Sequence, residues 1–145
     1  MIGGPGADEF KGGAGTDTAS DFSSAEGDKT TGVETVPGFG WVRICNAADG
    51  ADVAGTRFTF TAAGRTWSVP AGAPPNGRCT SSAPVPVGPL TITEQALVGF
   101  TLTDIFTVPA DRLISENLAA RTATVTIVEG QPASMTQVVF ANRVT

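Results

Sequence analysis

The 145 residues include no histidine and no tyrosine. Without imidazole there is no Ser-His-Asp triad, no H-E-x-x-H zinc site and no ordinary imidazole acid–base chemistry. The two cysteines cannot assemble a structural zinc site, which takes four cysteine or histidine ligands. No run approaches the roughly 18 apolar residues of a membrane-spanning helix. The start, MIGGPGADEF, has neither the basic nor the apolar region of a signal peptide, so an export address, if used, lies elsewhere. The glycines do not form G-x-G-x-x-G after a strand, and no lysine sits in a Walker-type loop. Glu94 paired with Asp104 or Glu116 is the one route to carboxylate catalysis, and nothing in the spacing fixes their separation. The chain reads as non-catalytic.

What is abundant is glycine (18) and proline (10), beside 41% hydrophobic residues, a composition that favours turns and short strands over a helical bundle. The net charge of −5 is unevenly placed. Residues 1–36 hold Asp8, Glu9, Asp17, Asp21, Glu26, Asp28 and Glu34 against Lys11 and Lys29, which accounts for all of the excess. Residues 37–145 balance seven acids with seven arginines. With no basic stripe the chain is not expected to bind nucleic acid, whereas its acidic arm suits a cation. The arm is also too poor in large apolar residues to build a core of its own. The expected organisation is therefore an arm over 1–36 and a domain over 37–145.

Beyond Pro37 the sequence changes to short alternating runs punctuated by Gly, Pro, Asn and Asp. Strands are expected near Trp41–Cys45, Arg57–Thr61, Thr66–Val69, Arg78–Ser81, Leu90–Glu94, Phe100–Val108, Thr122–Val128 and Thr136–Asn142. In Phe58-Thr59-Phe60-Thr61 and Val125-Thr126-Ile127 the apolar residues share one face and threonine takes the other. The longest stretch of helical period is Ser115–Arg121. The expected fold is all-β, an antiparallel β-sandwich of the immunoglobulin-like kind. Its expected core is Trp41, Ile44, Phe58, Phe60, Leu90, Ile92, Leu102, Val125, Ile127, Val139 and Phe140. Trp41 with Trp67 could form a sugar-stacking platform and the threonines a flat glycan- or ice-facing array. A buried tryptophan and ordinary solvent-facing strand residues are the preferred readings.

Gly3-Gly4-Pro5-Gly6-Ala7-Asp8-Glu9-Phe10-Lys11 is followed without a gap by Gly12-Gly13-Ala14-Gly15-Thr16-Asp17-Thr18-Ala19-Ser20. Each matches G-G-x-G-x-D-x-U-x, the nonapeptide of calcium-binding parallel β-rolls, with Ala19 standing where a large apolar residue belongs. The arm thus resembles the repeats-in-toxin (hemolysin-type) family. Six residues of each nonapeptide turn and three form a strand, so two nonapeptides complete one flattened coil. The resemblance implies calcium held by carbonyls and carboxylates, a hard cation wanting six to eight oxygens, with Gly4, Gly6, Asp8, Gly13, Gly15, Asp17, Glu26 and Asp28 as ligands. Asp8 and Asp17 would lie on opposite edges, with Glu26 completing the Asp8 turn. The turn of Asp17 has no partner on its own edge, which implies self-association through an open solenoid end. A flexible Gly/Asp linker is the competing reading.

The second region resembles the prealbumin-like, Cna protein B-type domains of bacterial surfaces. The resemblance rests on Asn46-Ala47-Ala48-Asp49-Gly50 leading into Ala54-Gly55-Thr56-Arg57-Phe58, on Leu90-Thr91-Ile92-Thr93-Glu94-Gln95 with Gly99-Phe100, and on Val138-Val139-Phe140-Ala141-Asn142. Many such domains carry an internal Lys–Asn amide bond promoted by a buried acid. Glu94 and Asn142 fall at the acid and asparagine positions, but residues 37–145 contain no lysine, and Cys45 or Asn46 stands in its place. That bond is excluded by composition. A Cys45–Cys79 disulfide is the expected replacement tie and would imply an oxidising compartment, with two buried free thiols as the alternative.

The expected function is an extracellular, secreted or cell-surface calcium-binding module of structural or adhesive type. Its expected partners are calcium ions, further copies of itself or an extracellular protein or glycan. The alternative is the non-catalytic tail of a larger secreted enzyme or toxin.

Overall fold

A computed structural model describes residue 7 and residues 9–11, 29–31 and 38–145. In the arm, β1 (Glu9–Lys11) and β2 (Lys29–Thr31) pair in parallel, Glu9 opposite Lys29 and Lys11 opposite Thr31.

Within 38–145 two sheets face each other. One contains β3 (Phe39–Ala48), β6 (Arg78–Cys79), β9 (Phe100–Val108) and β12 (Thr136–Val144), in the order β6-β3-β12-β9. A further strand, β7 (Ala83–Pro86), also pairs with β3. The other contains β4 (Arg57–Ala62), β5 (Arg65–Pro70), β8 (Gly88–Glu94), β10 (Leu113–Asn117) and β11 (Thr122–Ile127), in the order β10-β11-β8-β4-β5. This is the expected all-β sandwich. The sheet holding β3 is called the β3 sheet below, and its partner the β4 sheet.

Period two accounts for the interface between the sheets. Phe58, Phe60 and Ala62 of β4 point inward while Arg57, Thr59 and Thr61 face out. On β11 Ala123, Val125 and Ile127 point inward and the threonines face out. The inner face of the β3 sheet supplies Val42, Ile44, Leu102, Ile105, Val138 and Phe140, and the Phe60 and Phe140 rings meet at 5.0 Å.

Four features differ from the sequence-based expectations. First, β3 and β12 pair in parallel, Val42 opposite Thr136 through Ala48 opposite Asn142, so the β3 sheet is mixed. Second, Trp41 is not a core residue. Alternation puts Val42 and Ile44 inward and leaves Trp41 half-buried on the outer face. Val139 is buried, but in a small outer cluster with Cys45 and Ala47 rather than between the sheets. Third, β7 is an additional strand whose prolines are tolerated because it lies at a sheet margin, with Val85 buried between them. Fourth, the helical period over Ser115–Arg121 belongs to strand β10 and the turn after it. A bulge at Ile114 turns that side chain out to 53% exposure. Asn117 Oδ1 then accepts from the Ala120 N–H at 2.9 Å and shapes the turn.

Candidate functional site

The most elaborate polar arrangement among the described residues lies where β8 ends, beside the start of β9. Glu94 is the last residue of β8, and alternation points it inward behind Leu90 and Ile92. Asn142 on β12 is also fully buried and donates from Nδ2 to Glu94 Oε2 at 2.7 Å. The third member is Arg121, delivered by the β10–β11 turn with its backbone in the left-handed region, φ 58°. Its guanidinium donates to Glu94 Oε1 and, at 2.8 Å, to the carbonyl of Phe100. Its Nη1 also lies 3.5 Å from Asn142 Oδ1. Burial pushes the Glu94 carboxyl above its ordinary range, and the Asn142 hydrogen bond and the Arg121 charge oppose that shift.

Glu94 and Asn142 were both singled out in the sequence, and the structure brings them into contact. Arg121 was missed. A usable signal existed, because a glutamate destined for a core that contains no lysine requires another cation, but seven arginines were available. Of the two residues considered for the lysine position, the structure selects Asn46. It faces the interior on β3 and donates from Nδ2 to the Val69 carbonyl at 2.9 Å, while Cys45 faces the other way. Asn46 Oδ1 has no hydrogen-bond partner among the described residues. An ion pair and the Asn142 amide thus hold β8, β9, β12 and the β10–β11 turn together without covalent chemistry.

The covalent tie lies on the opposite face of β3. Cys45 and Cys79 are register partners and form a disulfide, with Cα atoms 4.0 Å apart and a sequence separation of 34.

The other candidate groupings are not assembled. Trp41 belongs to the β3 sheet and Trp67 to β5 of the β4 sheet, where it packs on the core, so they share no platform. Both Glu94 oxygens are engaged by Arg121 and Asn142, while Asp104 and Glu116 are exposed on β9 and β10. The threonines do align. Thr122, Thr93, Thr61 and Thr66 are successive register partners across four strands, and the Thr91 and Thr124 hydroxyls lie 3.1 Å apart.

The calcium ligands expected from the sequence, Gly4, Gly6, Asp8, Gly13, Gly15, Asp17, Glu26 and Asp28, lie outside the described residues. No group of three or more metal-ligating side chains occurs among the residues that are described. What is described of the arm has one informative property. β1 coincides with the three-residue strand of the first nonapeptide, and its parallel partner begins twenty residues on, two nonapeptides plus two residues.

No family model and no curated protein matches the sequence. Among solved structures, the chain is similar to a bacterial adhesin from Mobiluncus mulieris that contains intramolecular disulfide, isopeptide and ester bond cross-links. The TM-score is 0.50 at 18% identity, covering 75% of this chain and 42% of the adhesin. The same adhesin in a second crystal form gives 0.47 at 17% identity, over 74% of this chain and 42% of that one. The major pilin protein (T-13) from Streptococcus pyogenes gives 0.37 at 15% identity, over 81% of this chain and 47% of the pilin. The adhesin match is a likeness of fold, and the present chain spans less than half of the adhesin's length. No helix among the described residues is long and apolar enough to cross a membrane.

Proposed function

We propose that the chain is a secreted or cell-surface module of structural or adhesive type, without catalytic activity, in which a calcium-responsive arm precedes a cross-tied sandwich. The observation that carries this reading is the way the sandwich is closed. A disulfide fixes β3 to β6 on the outer face, and the Glu94–Arg121–Asn142 cluster fixes four elements on the inner side. Buried polar groups whose hydrogen bonds are made to one another serve cohesion rather than turnover. The disulfide fits an oxidising, extracellular compartment, and the likeness in fold to a bacterial adhesin supports the same location.

Calcium binding by the arm is supported by the two contiguous nonapeptides and by the parallel pairing of β1 with β2. Parallel strands need a long connection between them, and a solenoid coil supplies one of this order. Glycine carbonyls and carboxylates from Asp8, Asp17, Glu26 and Asp28 provide the hard oxygen ligands that calcium takes. Calorimetric titration and circular dichroism, each with and without chelator, are expected to show binding heat and a change confined to the arm. The absence of both at millimolar calcium overturns the calcium role.

Self-association follows from the unmatched turn of Asp17. Light scattering across a calcium series is expected to show growth in mass that Asp17→Ala abolishes. A monomer throughout, or association indifferent to that substitution, removes assembly from the reading.

A further inference from the structure

The outer face of the β3 sheet carries a groove that none of these roles uses. Its floor is set by register. Ala47 on β3, Ala141 on β12 and Asp104 on β9 stand side by side, next to a row of larger side chains, Cys45, Val139 and Phe106. Small side chains where the neighbouring row has a disulfide, a valine and a phenylalanine leave a step in the sheet surface, open over Ala141 and covered over Ala47 by the 71–80 segment. Phe106 and Pro74–Pro75 contribute apolar lining to the hollow, whose volume is about 360 Å³. A second hollow, lined by Ala51, Ala54 and Ala73, shares Ala48, Gly50 and Pro74 with it and extends the apolar surface around Pro74.

The proline segment is held down at both ends. Ala48 N–H donates to the Gly72 carbonyl at 2.8 Å, and Gly72 N–H to the Asn46 carbonyl at 3.0 Å. Beyond Pro75 the chain is fixed again through the disulfide at Cys79. Between these anchors Gly77, at φ 71°, runs so close to β3 that a Cβ there would collide with the Asn46 carbonyl. The wall is therefore a fixed part of the surface and not a flap, and a preformed concave apolar surface with few polar groups is how ligand sites are built.

Its charge is one-sided. The lining contributes two carboxylates, Asp49 and Asp104, both exposed, and no arginine. An apolar floor beside carboxylates fits a side chain with a methylene stem and a cationic head. We propose that this groove docks a lysine or arginine side chain of a partner protein, with the stem over Ala141 and Phe106 and the head at Asp49 and Asp104. The proposal rests on the adhesive form of the reading above and supplies the chemistry of its partner.

The test is a titration of the isotope-labelled, disulfide-intact protein, followed by amide NMR, with the capped tripeptides Ala-Lys-Ala and Ala-Arg-Ala. Capped Ala-norleucine-Ala and Ala-Glu-Ala serve as controls. The cationic peptides are expected to give saturable shifts at Ala47, Asp49, Thr103, Phe106 and Ala141, weakening with added salt. The Asp49→Asn/Asp104→Asn double variant changes only exposed side chains and should keep the fold while losing about fivefold in affinity. Ala141→Leu fills the groove and should abolish binding. If that variant does not fold, the double variant decides. Equal binding of the norleucine peptide, shifts scattered over other acids, full affinity in the double variant or no shift at millimolar peptide each overturns the proposal. None of these outcomes touches the calcium response or the disulfide, so a failure here leaves a purely structural module standing.

Discussion

Reducing the Cys45–Cys79 disulfide is expected to lower the stability of the sandwich by about 3–4 kcal/mol, from the loop-closure entropy that a cross-link of this span removes from the unfolded chain. The separation of 34 residues sets that figure. For a domain of this size it corresponds to a fall in Tm of roughly 10–20 °C. The loss should begin locally. β6 consists of Arg78 and Cys79, with two register pairs to β3, so without the bond its segment depends on the Gly72 and Thr80 hydrogen bonds. Hydrogen exchange should therefore accelerate first over residues 73–80, with β4, β8 and β11 still protected. Calorimetry with and without reductant, beside the Cys45→Ala/Cys79→Ala double variant, separates loss of the tie from loss of sulfur packing against Val139. Two free thiols by intact mass in exported material, or an unchanged Tm on reduction, would contradict the role given to this bond.

Where one sheet face meets the core and the other meets solvent, the fold was legible from the sequence. β4, β8 and β11 alternate cleanly, and their expected positions agree with the structure to within a few residues. Legibility fell where that condition failed. β3 is buried on both faces from Ile44 to Ala48 because the 71–80 segment covers its outer side, so no alternation marks which residues face inward. That is why the choice between Cys45 and Asn46 stayed open, whereas Trp41 was assigned to the core on its size although Val42 and Ile44 alternate inward beside it. β10 was hidden for a different reason. Its bulge breaks period two at Ile114, and the turn that follows completes a false helical period. The parallel pairing of β3 with β12 joins opposite ends of the domain and leaves no local trace at all.

The polar cluster was legible in the same partial way. Glu94 ends β8 and Asn142 lies near the end of β12, and the resemblance of the short motifs around them was enough to single them out. Arg121 sits in a turn, at a left-handed backbone position that a non-glycine residue seldom adopts, so neither pattern nor propensity points to it. The groove of Ala47 and Ala141 depends on a register between distant strands and on a covering segment, and sequence order reveals neither.

Arg121→Ala should cost about 3–5 kcal/mol at neutral pH, the range for removing one partner of a buried ion pair and leaving the other charge behind. Its guanidinium is the counter-charge to a carboxylate whose side chain is fully buried, and it also satisfies the Phe100 carbonyl. The pH dependence distinguishes these two contributions. Burial already raises the Glu94 carboxyl above its ordinary value of 4.5, against the opposing effects of Asn142 and Arg121. A carboxyl whose folded pKa is raised contributes stability that is fully present below the unfolded pKa and is lost as pH rises through the folded one. Without Arg121 the folded pKa rises further, so the penalty should be largest at neutral pH and should shrink as acid protonates Glu94. Glu94→Gln, which cannot ionise, should gain stability relative to the wild type as pH rises from about 4.5. Urea denaturation of the three proteins at several pH values reads both slopes. A deficit in Arg121→Ala that stays constant with pH would assign the loss to the Phe100 hydrogen bond and to packing, and the cluster would then not be held by charge.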